Sequence, residues 1–180
     1  MRLNSIKLSL SKDRTMSTHK NLMSIYVSEL QDLCSANDQM RKAVKEMAEF
    51  AENKELAEQL RLSATGINDH TRTLQSLVPN GKDQNRKEHC KAMEGLVKEA
   101  RDHALHGKFD HDALRDVMII AQYQRMAHYG IAGFGTLAAL ASALHRNDDA
   151  AHLSAALEEI YSSDLYFTKL AEHSINLETA

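Results

Sequence analysis

The chain has 180 residues, of which 43% are hydrophobic and 26% charged, which is typical of one globular domain and not of a disordered protein. It contains one Pro and seven Gly, too few for the frequent turns of a β-sandwich or a β-barrel. There is no Trp, and Tyr and Phe number only five and four. The composition therefore predicts an all-α fold with a largely aliphatic core.

Charge is distributed unevenly along the chain. The net charge is −3, but residues 1–20 carry +4 and the remaining residues carry −7. Because an acidic body does not attract phosphate backbones, we expect no nucleic-acid partner. Two cysteines, Cys34 and Cys90, are too few for a disulfide framework and predict reduced thiols in the cytoplasm.

The N-terminal segment shows only a weak alternation of apolar and polar residues. It has no apolar run of the length that a signal peptide needs, and no part of the chain is apolar for long enough to span a membrane. We therefore expect a cytoplasmic protein without membrane attachment. Residues 1–16 are predicted to form a flexible extension, with Met16 as a second possible start, and residues 17–180 to form a single helical domain.

Four long stretches carry apolar residues at alternating gaps of three and four, the pattern of helices that pack in a bundle. In chain order these heptad patterns cover residues 23–51, 56–77, 113–141 and 153–174. The second stretch ends at Val78-Pro79, a strong helix terminator. Asp110 is predicted to cap the third helix, and Asp148 or Asp149 the fourth.

The joins between these stretches predict the topology of the bundle. Each pair of helices is tightly connected, whereas about thirty residues separate the two pairs and include a shorter helical segment over 88–105. This organisation predicts a ferritin-like four-helix bundle, in which two antiparallel hairpins are joined by a long crossover with a short fifth helix.

Bundles with this topology can hold two metal ions in their core. The ligands are a Glu from each of two helices and a Glu-x-x-His motif from each of the other two. None of the ten histidines has a Glu three positions before it; the residues three before His70 and His128 are Ile67 and Arg125. The sequence therefore lacks the motif that supplies most of these ligands.

Three segments carry a family resemblance, and it extends over about residues 22–176. They are Cys90–Ala100 with its Ala-Met-Glu-Gly-Leu string, His128–Ala141 and Leu157–Leu165. These segments resemble the YciE/YciF-type ferritin-like family of bacterial stress-associated proteins. The resemblance implies a ferritin-like fold, a homodimer, an association with stress and a dimetal site.

The resemblance also implies where the metal ligands of this family would lie. Four positions that match family carboxylates carry none in this sequence, and the heptad patterns place all four in the core: Asn37, Ile67, Ala127 and Ile160. We therefore expect a divergent member that has lost the dimetal site and binds no cofactor. Three residues are left as remnant metal ligands, with iron or manganese as the alternative cofactor: His70, His128 and Asp164.

These remaining polar residues allow two interpretations. His70 and Asp164 could pair across the core beside Asn37 and Gln124, as a hydrogen-bonded layer that fixes the register of the helices. Alternatively, two histidines and Asp164 could hold a single metal ion.

A group of glycines in the third long helix indicates close packing. Gly130, Gly133 and Gly135 each lower the stability of a helix. The usual compensation is the close approach of the backbone of a neighbouring helix. The sequence leaves open whether that neighbour belongs to the same chain or to a second copy.

Three functions follow from these observations. The leading hypothesis is a non-enzymatic structural or interaction module that forms a homodimer. The alternative is a metal-dependent redox protein with an atypical His/Asp site, and the third is a small-ligand binder that uses the space left by the metals.

Overall fold

The computed structural model describes residues 19–79 and 88–172. Within these ranges all regular secondary structure is helical, which confirms the all-α prediction. In chain order the helices are α1 (Leu22–Phe50), α2 (Lys54–Leu77), α3 (Lys91–Ala100), α4 (Asp112–Ala143) and α5 (Asn147–Leu170). A π-helical turn, Arg101–Leu105, extends α3. The predicted extension over residues 1–16 and the predicted end of the last helix at 174 lie outside the described residues.

Side-chain caps define where α1 and α2 begin. The Asn21 side chain accepts a hydrogen bond from the backbone N–H of Ser24 at 2.9 Å. The Ser24 hydroxyl in turn accepts one from the backbone N–H of Asn21, which completes a capping box. Asn53 accepts hydrogen bonds from the backbone N–H groups of Glu55 and Leu56 at the start of α2.

The predicted caps of the last two long helices are wrong. Helix α4 begins at Asp112 after His111, so Asp110 lies one residue too early to cap it, and Asp112 supplies the negative charge of the first turn. Asp148 and Asp149 lie inside the first turn of α5. The Asp149 carboxylate accepts a hydrogen bond from the Tyr26 hydroxyl at 2.8 Å, so it joins α5 to α1 instead of capping its own helix.

The connectivity of the helices is the predicted one. Helices α1 and α2 form one antiparallel hairpin and α4 and α5 form the other, while α3 packs against α1 and α4. Just before α3, the backbone N–H of Cys90 donates to Ser35 Oγ at 3.0 Å, and in the π-helical turn after α3 Arg101 pairs with Glu46. Since both partners lie on α1 in the same order, the crossover runs alongside α1 and returns the chain to the far end of the bundle.

The core is mainly aliphatic, as the composition predicts, with a few aromatic rings. Tyr26, Phe134 and Phe167 are among the largest fully buried side chains, and the Tyr123 and Phe167 rings lie 4.0 Å apart between centroids. At Gly133 the predicted close approach occurs within the chain, because an added Cβ would lie 2.7 Å from Leu33 Cδ1 on α1. None of the helices in the described part of the chain is long and apolar enough to cross a membrane.

Candidate functional site

The four positions that lack carboxylates converge on one cavity. A cavity of about 310 Å³ lies between α1, α2, α4 and α5, and its walls include the side chains at these positions. Each helix contributes one of them: Asn37, Ile67, Ala127 and Ile160. All four positions therefore border the same space inside the bundle.

The cavity is closed at one side and reaches the surface at the other. On α1 and α4, Asn37 and Ala127 are buried, so these helices form its floor. On α2 and α5, Leu62 and Glu159 are well exposed although both line the cavity. The cavity therefore opens between α2 and α5.

Asn37 is a buried polar group that the protein does not fully satisfy. Its side chain is only 5% exposed, and its Nδ2 atom has no hydrogen-bond partner in the protein. A buried donor without a partner costs about 1–3 kcal/mol of stability. Asn37 Nδ2 therefore takes no part in the predicted hydrogen-bonded polar layer.

Three hydroxyl groups form a cluster in the wall of the cavity. The Tyr123 hydroxyl lies 2.8 Å from Ser163 Oγ and donates to Ser63 Oγ at 3.2 Å, and the two serine oxygens are 3.4 Å apart. Burial raises the pKa of the Tyr123 hydroxyl, so the phenol stays protonated. Sequence reasoning did not assign this cluster a role. The polar Ser63 within the second heptad pattern was the only signal of it.

His70 lies in the cavity wall, but its partner differs from the predicted one. Its Nε2 atom is 2.9 Å from Glu159 Oε2, and its ring meets the edge of Phe134 at 5.6 Å between centroids. The His70 side chain is 12% exposed, whereas the Glu159 carboxylate, on the outer side of α5, is 70% exposed. The predicted pairing of His70 with Asp164 across the core is therefore wrong.

Asp164 and His128 belong to a different cluster, between α4 and α5. Gln124 Nε2 donates to Asp164 Oδ1 at 3.2 Å and to Thr168 Oγ1 at 2.8 Å. His128 Nδ1 lies 3.6 Å from Asp164 Oδ1 and 2.9 Å from the Gln124 carbonyl oxygen. Neither Asp164 nor His128 lines the cavity. The structure thus brings His128 and Asp164 together but separates both from the cavity wall where His70 lies.

The residues around the cavity do not fit a dimetal centre. Such a centre needs several carboxylates that bridge and neutralise the two ions. Among the described lining residues, His70 is the one imidazole and the exposed Glu159 is the one carboxylate that could bind a metal ion. Within residues 19–79 and 88–172, no three His, Cys, Asp or Glu side chains are grouped so that they could hold a metal ion.

The two thiols do not provide nucleophilic chemistry. Burial raises the pKa of Cys34 to about 12. Burial also raises the pKa of Cys90, whose Sγ atom lies 3.0 Å from the Tyr129 hydroxyl. Because the thiolate is the reactive form, burial disfavours nucleophilic reactions at both side chains.

Comparisons with known proteins agree with the fold. The family model described as Domain of unknown function (DUF892) matches residues 21–180. The chain belongs to this family. Protein YciF of Escherichia coli (strain K12) is 29% identical to this DUF892 protein over 158 residues, which are 87% of the chain and 94% of YciF.

Two solved structures superpose on almost the whole bundle. The crystal structure of the E. coli stress protein YciF matches with a TM-score of 0.80 and 28% identity, over 88% of this chain and 99% of that one. YcfI of Rhodopseudomonas palustris, which is regarded as a structural protein, matches with a TM-score of 0.74 and 26% identity, over 87% and 98% of the two chains. The resemblance to the YciE/YciF type and the predicted ferritin-like bundle are thereby confirmed.

Proposed function

We propose that this DUF892 protein is a non-enzymatic bundle that binds no dimetal centre and serves as a structural or interaction module. The observation that carries the proposal is the convergence of Asn37, Ile67, Ala127 and Ile160 on one cavity. Three of these four side chains are hydrocarbon, and the fourth is a neutral amide. Hydrocarbon side chains cannot coordinate a metal ion, so the site cannot supply the ligands that iron or manganese chemistry requires.

The description of one similar protein supports the structural part of this proposal, and that of another suggests a wider role. YciF is described as a stress protein and YcfI is regarded as structural, and we propose a stress-associated role for this chain as well.

We further propose a cytoplasmic homodimer. Tyr161 and Leu165 are large side chains left about half exposed one turn apart on α5, and this apolar face suits a second copy of the chain. Light scattering after gel filtration should then give twice the 20.2 kDa chain mass.

The proposal is tested by restoring the missing charges. The quadruple variant Asn37→Glu, Ile67→Glu, Ala127→Glu and Ile160→Glu places four carboxylates around the cavity beside His70. Without metal these like charges are buried together, so the variant should lose several kcal/mol of stability or hold protons on some carboxylates. Fe(II) or Mn(II) should then stabilise the variant by about 2.7 kcal/mol at a hundredfold excess over Kd.

The matched control replaces the same four residues with Gln, which has nearly the same shape as Glu but no charge. We expect thermal melts of the parent and of the Gln variant to be insensitive to Fe(II) and Mn(II). A metal-dependent rise in the melting temperature of the parent would reject the proposal. It would favour the redox alternative, in which His70, His128 or Asp164 acts as a ligand.

A further inference from the structure

The cavity between α1, α2, α4 and α5 has the properties of a binding site for a small organic molecule. Its volume of about 310 Å³ lies at the lower end of the range of small-molecule pockets and is about twice that of a cavity that accommodates benzene. This space suits a compound with one aromatic ring and a short substituent.

The walls of the cavity select for an uncharged, largely apolar ligand. Met40, Ile67 and Ile160 give it an apolar surface, and no Lys or Arg occurs among its described lining residues. The exposed carboxylate of Glu159 lies at the opening. An anionic ligand would meet this negative charge with no Lys or Arg side chain to neutralise its own, so the electrostatics disfavour carboxylates and phosphates.

A buried amide in the floor of the cavity has a hydrogen-bond donor that the protein leaves unused. Asn37 lines the cavity, is more than nine-tenths buried, and has an Nδ2 group without a partner in the protein. The hydroxyls of Tyr123, Ser63 and Ser163, by contrast, already satisfy one another. An acceptor oxygen on the ligand would satisfy the amide that the protein itself leaves unpaired.

We propose that this cavity binds a neutral monocyclic aromatic compound with a carbonyl oxygen. The Asn37 side chain, whose Nδ2 atom is shielded from solvent, turns this amide group to donate a hydrogen bond to that oxygen. The ring lies against Met40, Ile67 and Ile160, and the ligand enters between α2 and α5. The inference rests on the proposed function in one respect, since a dimetal centre would occupy the same space.

Three probes of similar size separate the contributions to binding. Acetophenone carries the acceptor oxygen, ethylbenzene lacks it, and benzoate carries a negative charge. Binding is followed by NMR of ¹³C-methyl-labelled Met and Ile, for which the methyl groups of Met40, Ile67 and Ile160 report on the cavity. The metal content of the same sample is measured before the titration.

We expect acetophenone to shift these methyl signals and to bind about threefold to tenfold more tightly than ethylbenzene, the ratio that one hydrogen bond provides. Benzoate should bind more weakly than either. In Asn37→Ala, which removes the donor, the affinity for acetophenone should fall to that for ethylbenzene.

A second variant tests the location without altering the floor. An added Cβ at Gly66 in the cavity wall, or at Gly95 on α3, meets no atom within 4 Å. Gly66→Leu should therefore obstruct the cavity and weaken acetophenone binding at least tenfold, whereas the matched control Gly95→Leu should leave it unchanged.

Metal-free protein whose Met40, Ile67 and Ile160 signals do not respond to acetophenone would overturn this inference and leave the proposed function standing. Equal affinity for acetophenone and ethylbenzene in the parent would overturn the role of Asn37. Stoichiometric metal in the sample would instead reject the proposed function.

Discussion

Gly133 shows how one residue sets the distance between two helices. An added Cβ would lie 2.7 Å from Cδ1 and 3.2 Å from Cδ2 of the buried Leu33. The three glycines in α4 were sufficient to predict a close approach. The identity of the neighbour could not be predicted, because a helical period tells which face is buried and not which helix covers it.

We predict that Gly133→Ala is less stable than Gly95→Ala by about 1–3 kcal/mol. Both substitutions improve helix propensity by about 1 kcal/mol, but at Gly133 the methyl group overpacks against Leu33, at a cost of about 1–3 kcal/mol. Gly95 is the matched control because a Cβ added there meets no atom of another element within 4 Å. The comparison uses urea unfolding, and equal stabilisation by both substitutions would contradict the close packing of α1 against α4.

The heptad positions of His70 and Asp164 do not determine the directions of their side chains. Both occupy heptad positions, which gave the expectation of a shared polar layer. The direction of a side chain depends on its rotamer and on the tilt of its helix as well as on its position in the period. His70 turns toward Glu159 and Asp164 toward Gln124, so neither reaches the other.

At the scale of elements, Asp116 joins the start of α4 to the turn between α1 and α2. Its Oδ1 accepts from the backbone N–H of Glu52 at 3.0 Å, and its Oδ2 accepts from that of Asn53 at 2.8 Å. Sequence reasoning missed this contact between the two hairpins. The signal was a carboxylate on the same helical face as the buried Ile119, Ile120 and Tyr123.

We predict that Asp116→Asn destabilises the protein by about 1–3 kcal/mol. The Asn side chain keeps one acceptor oxygen, but its amide faces a backbone N–H that then has no partner. Asp112→Asn is the control. Asp112 lies on the surface at the start of α4, and its side chain forms an ion pair with Arg115. The effect of this control should stay below about 1 kcal/mol, the contribution of a negative charge in the first turn of a helix. Equal effects of the two variants in thermal unfolding would contradict the role of Asp116.

The crossover is attached to α1 by a pair with a pH-dependent contribution. Arg101 donates from Nε and Nη2 to the two carboxylate oxygens of Glu46, each at 2.7 Å, and these bonds hold the pKa of Glu46 below its usual value. Because the folded-state pKa is depressed, the contribution is complete above the unfolded pKa of about 4.3 and is lost as the pH falls through the folded value.

We therefore predict that Glu46→Gln lowers the free energy of unfolding by about 0.5–1 kcal/mol at pH 7, a small value because both side chains are 40% exposed. The difference between parent and variant should shrink as the pH falls below about 4, where the parent carboxylate becomes protonated. Urea unfolding of the parent and the variant at a series of pH values measures this difference in the free energy of unfolding. A difference that grows toward acid pH would contradict the assigned sign.

At the scale of the whole molecule, the topology was predictable, whereas the shape of the cavity was not. Heptad patterns and linker lengths can be read along the chain, so they predict the helices α1, α2, α4 and α5 and the long crossover. The volume between four helices depends on how their side chains interdigitate. For this reason the size and the opening of the cavity, the hydroxyl cluster at Tyr123 and the unpaired amide of Asn37 emerged only from the structure.

We propose that this bundle holds no metal where Asn37, Ile67, Ala127 and Ile160 meet. The most direct test is the iron and manganese content of the untagged parent protein, expressed in medium supplemented with both metals and purified without chelator, measured by mass spectrometry. The quadruple Glu variant, prepared in the same way, serves as the positive control. We predict far less than one metal ion per parent chain and uptake by the variant. One or more equivalents of iron or manganese in the parent, retained through gel filtration, would contradict the account.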